Sequence, residues 1–137
     1  MSDRNDFNTG IIDEFRTNAG KVGGYFEGRT MLILHSTGAK SGQERTIPLV
    51  FQHVGDTWAI FASKGGDPKN PDWYHNLVAN PDATIETGTD TVNVRARITE
   101  GDERDLIWEQ QKVDVPSFAD YEKATDRVIP VVVLERV

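Results

Sequence analysis

The chain has 137 residues, a length that suits one domain of ordinary size. It contains no cysteine, which excludes disulfides, thiolate metal sites and a cysteine nucleophile. A formal net charge of −7 argues against general nucleic-acid binding, and against a strongly anionic ligand unless basic residues oppose the overall field locally.

No apolar run approaches the roughly 20 residues of a membrane span, and residues 1–8 are polar with no secretory signal visible. These features predict a soluble, cytoplasmic domain without repeats or linkers. In chain order, Phe7, Ile11 and Phe15 share one helical stripe with Ile12 beside them, and Gly20, Gly23 and Gly24 end it. Such a narrow stripe suits packing on the rest of the domain; contact with a membrane surface is its other use. Residues 31–36 are an apolar strand. Residues 45–54 are β-rich, with Pro48 marking an edge or a bulge. A strand over 57–63 follows the hairpin turn Gly55-Asp56. Asn70-Pro71 then reads as N-cap and first residue of a helix over 72–79, with Asn80-Pro81 as its stop.

A short strand over 83–87 and a turn over 88–90 come next. Val92, Val94, Ala96 and Ile98 then alternate with Asn93, Arg95 and Arg97, the pattern of a half-buried strand. A second helix spans 102–113, with Asp102 and Glu103 at its start and Lys112 near its end, as the helix dipole favours. Residues 131–137 close the set. Six strands with hairpin spacing and few crossover helices predict a mainly β fold (α+β by content), an antiparallel barrel or roll rather than a doubly wound sheet. Residues 1–28 form a helical segment and residues 29–137 the barrel.

Three segments could carry chemistry. Thr37-Gly38-Ala39-Lys40-Ser41-Gly42-Gln43-Glu44-Arg45 joins two strands with two glycines, two cations and the Ser41 hydroxyl. Exposed main-chain N–H groups beside cations make an anion cradle, although an ordinary solvated hairpin turn has the same composition. Ser63-Lys64-Gly65-Gly66 leaves a strand toward a helix N-terminus, a second place where an anion is favoured. Trp73 and Leu77 share a face of the helix between Asn70 and Pro81; they either dock that helix on the barrel or leave an aromatic ring to stack on a planar ligand. His35, His53 and His75 lack metal-ligand spacing, and no metal site is expected. Neither a nucleophile elbow nor a P-loop is present.

Taken together, these segments resemble the deazaflavin-dependent nitroreductase family. The matching residues are Thr37-Gly38-x-Lys40-Ser41-Gly42-x-x-Arg45-x-x-Pro48-Leu49, Ala62-Ser63-Lys64-Gly65-Gly66, Asn70-Pro71-x-Trp73-Tyr74-x-Asn76-Leu77, Ala79-Asn80-Pro81 and Thr125-Asp126-Arg127-x-Ile129-Pro130. The resemblance implies a split antiparallel β-barrel of about six strands with flanking helices, and the deazaflavin coenzyme F-420, whose tail carries a phosphate and glutamates. It implies that Lys40, Arg45 and Lys64 hold that tail. Ile47, Pro48, Leu49, Ala62, Ser63, Gly65, Gly66, Pro71, Trp73, Tyr74 and Asn76 would surround the coenzyme. Val50, Val115, Phe118 and Tyr121 would line the substrate pocket, with Tyr121 and Ser63 as candidate contacts to substrate or proton. The acceptor would be a quinone, a nitroaromatic or another activated planar molecule, and the protein a monomer or a homodimer.

The match is not uniform. Positions that carry tyrosines and a tryptophan in the member activating bicyclic nitroimidazoles hold Val115, Phe118, Tyr121 and Ala124 here, so only Tyr121 keeps a hydroxyl. The position before Lys40, often basic in the family, is Ala39. A flavin mononucleotide (FMN) enzyme on the same barrel and a non-catalytic coenzyme carrier are the alternative readings; a pure interaction domain would leave the glycine-lysine loops unexplained.

Overall fold

The computed structural model describes residues 3–18, 31–63, 69–88 and 90–137, with side chains from residue 9 onward. The side chain of Phe7, the glycines Gly20, Gly23 and Gly24, and Lys64, Gly65 and Gly66 lie outside the described residues. The elements run α1 (Asp3–Thr17), β1 (Met31–Thr37), β2 (Glu44–Val54), β3 (Thr57–Phe61), α2 (Asp72–Ala79), β4 (Asp82–Glu86), β5 (Thr91–Ile98), α3 (Gly101–Asp114), α4 (Ser117–Lys123) and β6 (Val131–Arg136). The strands close into an antiparallel barrel in the order β1-β2-β3-β6-β5-β4.

Strand composition follows from which faces are covered. Leu32 and Leu34 of β1, Trp58 and Ile60 of β3, and Val132 and Leu134 of β6 fill the barrel interior. The residues between them point outward and are buried as well. Ala59, Phe61, Val131 and Val133 pack under Ile107 and Trp108 of α3 and Phe118 of α4. Met31 and Ile33 pack under Ile11 and Phe15 of α1. A strand buried on both faces reads as a continuous apolar run, whereas one with a wet face alternates. β5 is the second kind: Val92 and Val94 are buried, while Asn93, Arg95 and Arg97 face solvent. The alternation stops short of its expected end, because Ile98 is exposed.

β2 pairs with β1 through residues 44–50 and with β3 only through residues 51–54. Pro48 lies in the half without β3, which accommodates a residue that cannot donate to a ladder. β3 ends at Phe61, two residues before the expected end. The main chain there leaves the β2 side, and Ala62 donates instead to the carbonyl of Pro130 at 3.0 Å.

Two further differences from the sequence reading concern the helices. The N-cap of α2 is Pro71, in extended geometry and without a side-chain cap; Asn70 does not cap it, because its amide oxygen accepts a bond from Arg127. Helix α4 was not anticipated. At 7 residues it is too short to be stable alone, and it forms because Phe118 is buried among Phe61 and Trp108, with ring centroids 5.5 and 6.0 Å away.

Antiparallel pairing brings the C-terminal ends of β1, β3 and β5 and the N-terminal ends of β2, β4 and β6 to one end of the barrel. Residues 38–43, 62–63 and 69–81 all lie there, and Trp73 and Leu77 of α2 close that end as part of the interior core.

Candidate active site

At this end the hairpin between β1 and β2 is held from inside. Gly38 N–H donates to the carbonyl of Gln43 at 2.8 Å, and Gly42 N–H to that of Gly38 at 3.0 Å. Gly42 takes φ of 70°, a left-handed conformation natural to glycine. Gly38 is glycine for space: a Cβ there would come within 2.7 Å of Ser41 Oγ. Ser41 Oγ accepts from Gln43 N–H at 3.2 Å and from Arg45 Nη2 at 3.4 Å. Across the end of the barrel, Asn76 Oδ1 accepts the N–H of Ala39 at 2.9 Å, so α2 fixes the main chain beside Lys40.

Charge pairing is uneven across the described surface. Arg16, Arg95, Arg97, Arg104 and Lys112 each meet a carboxylate within 4 Å. Lys40 and Arg45 are exposed and, among the described residues, form no ion pair with any carboxylate. In a chain of net charge −7, two unpaired cations beside main-chain donors form a local positive site suited to an anion. This chemistry fits a phosphate- and carboxylate-bearing ligand tail.

The other candidate residues divide between this end and the core. Ile47 and Leu49 face inward from β2 and pack on the interior cluster, as does Tyr74. Pro48 is half-buried on the same strand. Ala62, Ser63, Pro71 and Asn76 are buried around the start of α2. Trp73 is only 5% exposed and belongs to the barrel core, so its ring docks the helix; Tyr74 beside it is the more accessible aromatic. Val115 and Phe118 are buried in the cluster outside β3 and β6, with Val50 and Tyr121 half-buried at its margin. The Tyr121 ring lies 5.2 Å from that of Phe118.

Two features escaped the sequence reading. Arg127, quoted above only within a motif, donates from Nη1 to Asn70 Oδ1 at 2.7 Å and from Nη2 to the carbonyl of Ser63 at 2.9 Å. A pair of amides lies under α3: Gln52 Nε2 donates to the carbonyl of Ile107 and to Gln111 Oε1, both at 3.2 Å, leaving Gln111 Nε2 buried without a partner among the described residues. Neither shows in sequence, because both depend on residues more than 50 positions apart.

A closed six-stranded antiparallel barrel with flanking helices is the split-barrel architecture of flavin reductase-like proteins. Residues 11–136 match the F-420H(2)-dependent quinone reductase family, and the chain belongs to that family of oxidoreductases. An F-420H(2)-dependent quinone reductase of Mycobacterium tuberculosis is 40% identical over 126 residues, covering 89% of this chain and 85% of the relative. A solved F-420-H2 dependent reductase (FDR-A) superposes with a TM-score of 0.72 at 39% identity, over 82% of this chain and 100% of its own. A second solved structure, described as a domain-swapped dimer, has a TM-score of 0.73 at 38% identity and covers 96% of each chain. Family membership makes this chain an F-420-dependent oxidoreductase. Among the described residues no helix is long and apolar enough to cross a membrane.

Proposed function

We propose that this chain reduces a quinone with F-420H2, holding the coenzyme's acidic tail at the hairpin formed by Lys40, Ser41 and Arg45. Lys64, Gly65 and Gly66 join that site on motif alone. The observation that carries the reading is the pair of exposed cations, Lys40 and Arg45, together on one glycine-rich hairpin of an acidic protein and, among the described residues, in no ion pair with a carboxylate. The 40% identical relative supports the choice of acceptor.

Reduced F-420, when bound, supplies a hydride. The chain's own task is to position and to protect. Lys40 and Arg45 offset the charge of the tail, each charge-assisted bond contributing about 1.5–3 kcal/mol. Tyr74 and the inward face of β2 at Ile47 and Leu49 offer an apolar wall beside that hairpin. Val50, Val115 and Phe118 would keep water from the acceptor. Reduction of a quinone to a hydroquinone takes one proton in addition to the hydride, delivered to a carbonyl oxygen. The hydroxyls of Tyr121 and Ser63 are the candidates to hold that proton in place. The protein is proposed to act in the cytoplasm, as a monomer or as a homodimer.

Fluorescence titration of the purified protein with F-420 and separately with FMN tests the reading. Saturable binding of F-420, weaker binding of FMN, and a loss of tenfold or more in Lys40→Ala and Arg45→Ala are expected. Preference for FMN would reassign the cofactor, and F-420 binding without turnover of any quinone would leave a carrier in place of a reductase.

A further inference from the structure

Arg127 bonds to two points of the chain 57 and 64 residues away. Ser63, whose carbonyl it holds, lies two residues past the end of β3. Asn70, whose amide oxygen it holds, directly precedes Pro71, the N-cap of α2. Among the described residues no side chain caps its N-terminus. From there α2 runs to Asn76, which accepts the N–H of Ala39 between Gly38 and Lys40. One guanidinium therefore ties the main chain just past β3 to the residue just before Pro71, and α2 in turn bonds the hairpin that carries Lys40.

We propose that Arg127 is a positioning residue: it sets α2, and through Asn76 the hairpin 38–43, at the spacing that an acidic coenzyme tail requires. The identity of the ligand rests on the proposed function; the mechanical linkage does not. The two bonds go to acceptors on different segments, which a planar fork with several N–H donors satisfies at once. A lysine in its place keeps the charge as a single compact ammonium and loses the fork. Arg127 acts through Asn70 and Ser63 and needs no contact with the ligand.

The experiment compares wild type, Arg127→Lys, Arg127→Gln and Asn70→Ala in two measurements. The first is the Kd for F-420 at low and high salt. The second is hydrogen exchange of the Ala39 amide without coenzyme. Both Arg127 variants are expected to raise Kd at least tenfold and by similar factors, with a salt dependence parallel to wild type, since no ligand-contacting charge is removed. Ala39 exchange should accelerate while the amides of β5 and β6 hold their rates. A wild-type Kd in Arg127→Lys would show that charge and not the fork matters, and would overturn the proposal. So would unchanged Ala39 exchange in all variants. If the Arg127 variants do not fold, Asn70→Ala decides alone, because it removes one bond and keeps the guanidinium; a wild-type Kd and wild-type exchange there overturn the proposal. If wild type itself does not bind F-420, the proposed function fails, while the Ala39 exchange rates still decide the linkage.

Discussion

Arg16 of α1 and Glu86 of β4, 70 residues apart, form a two-pronged ion pair with Nε–Oε1 at 3.0 Å and Nη2–Oε2 at 2.7 Å. His35 of β1 stands on the other side of Glu86, with Nε2 2.6 Å from Oε2, and its Nδ1 lies 2.7 Å from Glu44. The N-terminal helix is thus pinned electrostatically to the seam where β1 and β4 close the barrel. Directly beside this seam, Phe15 and Ile11 pack on Ile33 and Met31.

The hydrogen bonds from Arg16 hold the Glu86 carboxyl at about 2, against an ordinary 4.5; burial opposes the shift and His35 adds to it. A carboxyl depressed in the folded state adds stability that is fully present above about 4.5 and is lost as pH falls toward 2. Wild type should therefore lose thermal stability through that interval more steeply than Glu86→Gln, as followed by Tm against pH. Parallel curves would show that the pair contributes nothing measurable. Because half of the Arg16 side chain is solvent-exposed, added salt should shrink the difference.

Gly38→Ala should separate binding from stability. The new methyl meets Ser41 Oγ and, at 3.2 Å, the carbonyl of Gln43. Ser41 can rotate away, at a stability cost of about 1 kcal/mol, a size usual for a surface turn substitution that introduces mild strain. Rotation removes the oxygen that orients Arg45, so the Kd for F-420 should rise several-fold while Tm falls only slightly. Unchanged affinity would mean that Ser41 does not order the cradle.

Gln111→Leu and Gln111→Glu should move stability in opposite directions. The orientation of the amides follows from Gln52, whose Nε2 faces the Ile107 carbonyl and therefore also donates to Gln111 Oε1. A buried donor without a partner costs about 1–3 kcal/mol. Leucine removes it, and Gln52 keeps its bond to Ile107; chemical denaturation should show equal or greater stability. Glutamate places a carboxylate in the same buried position and should destabilise strongly. A large loss in Gln111→Leu would show that the amide pair is worth more than its geometry suggests.

Tyr121→Phe tests the proton path. The ring packs beside Phe118, so removing the hydroxyl leaves the hydrophobic contact in place. If Tyr121 holds the proton, kcat with a quinone acceptor should fall by roughly a hundredfold, within the range for a positioned acid, while the Kd for F-420 stays at the wild-type value. An unchanged kcat would transfer that role to Ser63 or to solvent.

The sequence by itself determined the strand set, because strand periodicity and turn residues are local. The apolar strand over residues 31–36, the alternation through Val92 and Val94, and the turn at Gly55-Asp56 read correctly without any tertiary information. The hairpin carrying Lys40 and Arg45 was legible for the same reason: its glycines, cations and hydroxyl are adjacent in the chain. The tertiary structure alone decided what those residues meet. Trp73 faced two possible uses until barrel closure placed it in the interior core. Asn70 had the composition of a cap, but a charged guanidinium from Arg127, 57 residues away, is the stronger partner for its oxygen. Helix α4 lacked a local signal, because a helix of 7 residues forms only where the packing of Phe118 offsets the entropy of ordering it. Local interactions set the elements; the partners of side chains distant in sequence existed only once the barrel had closed.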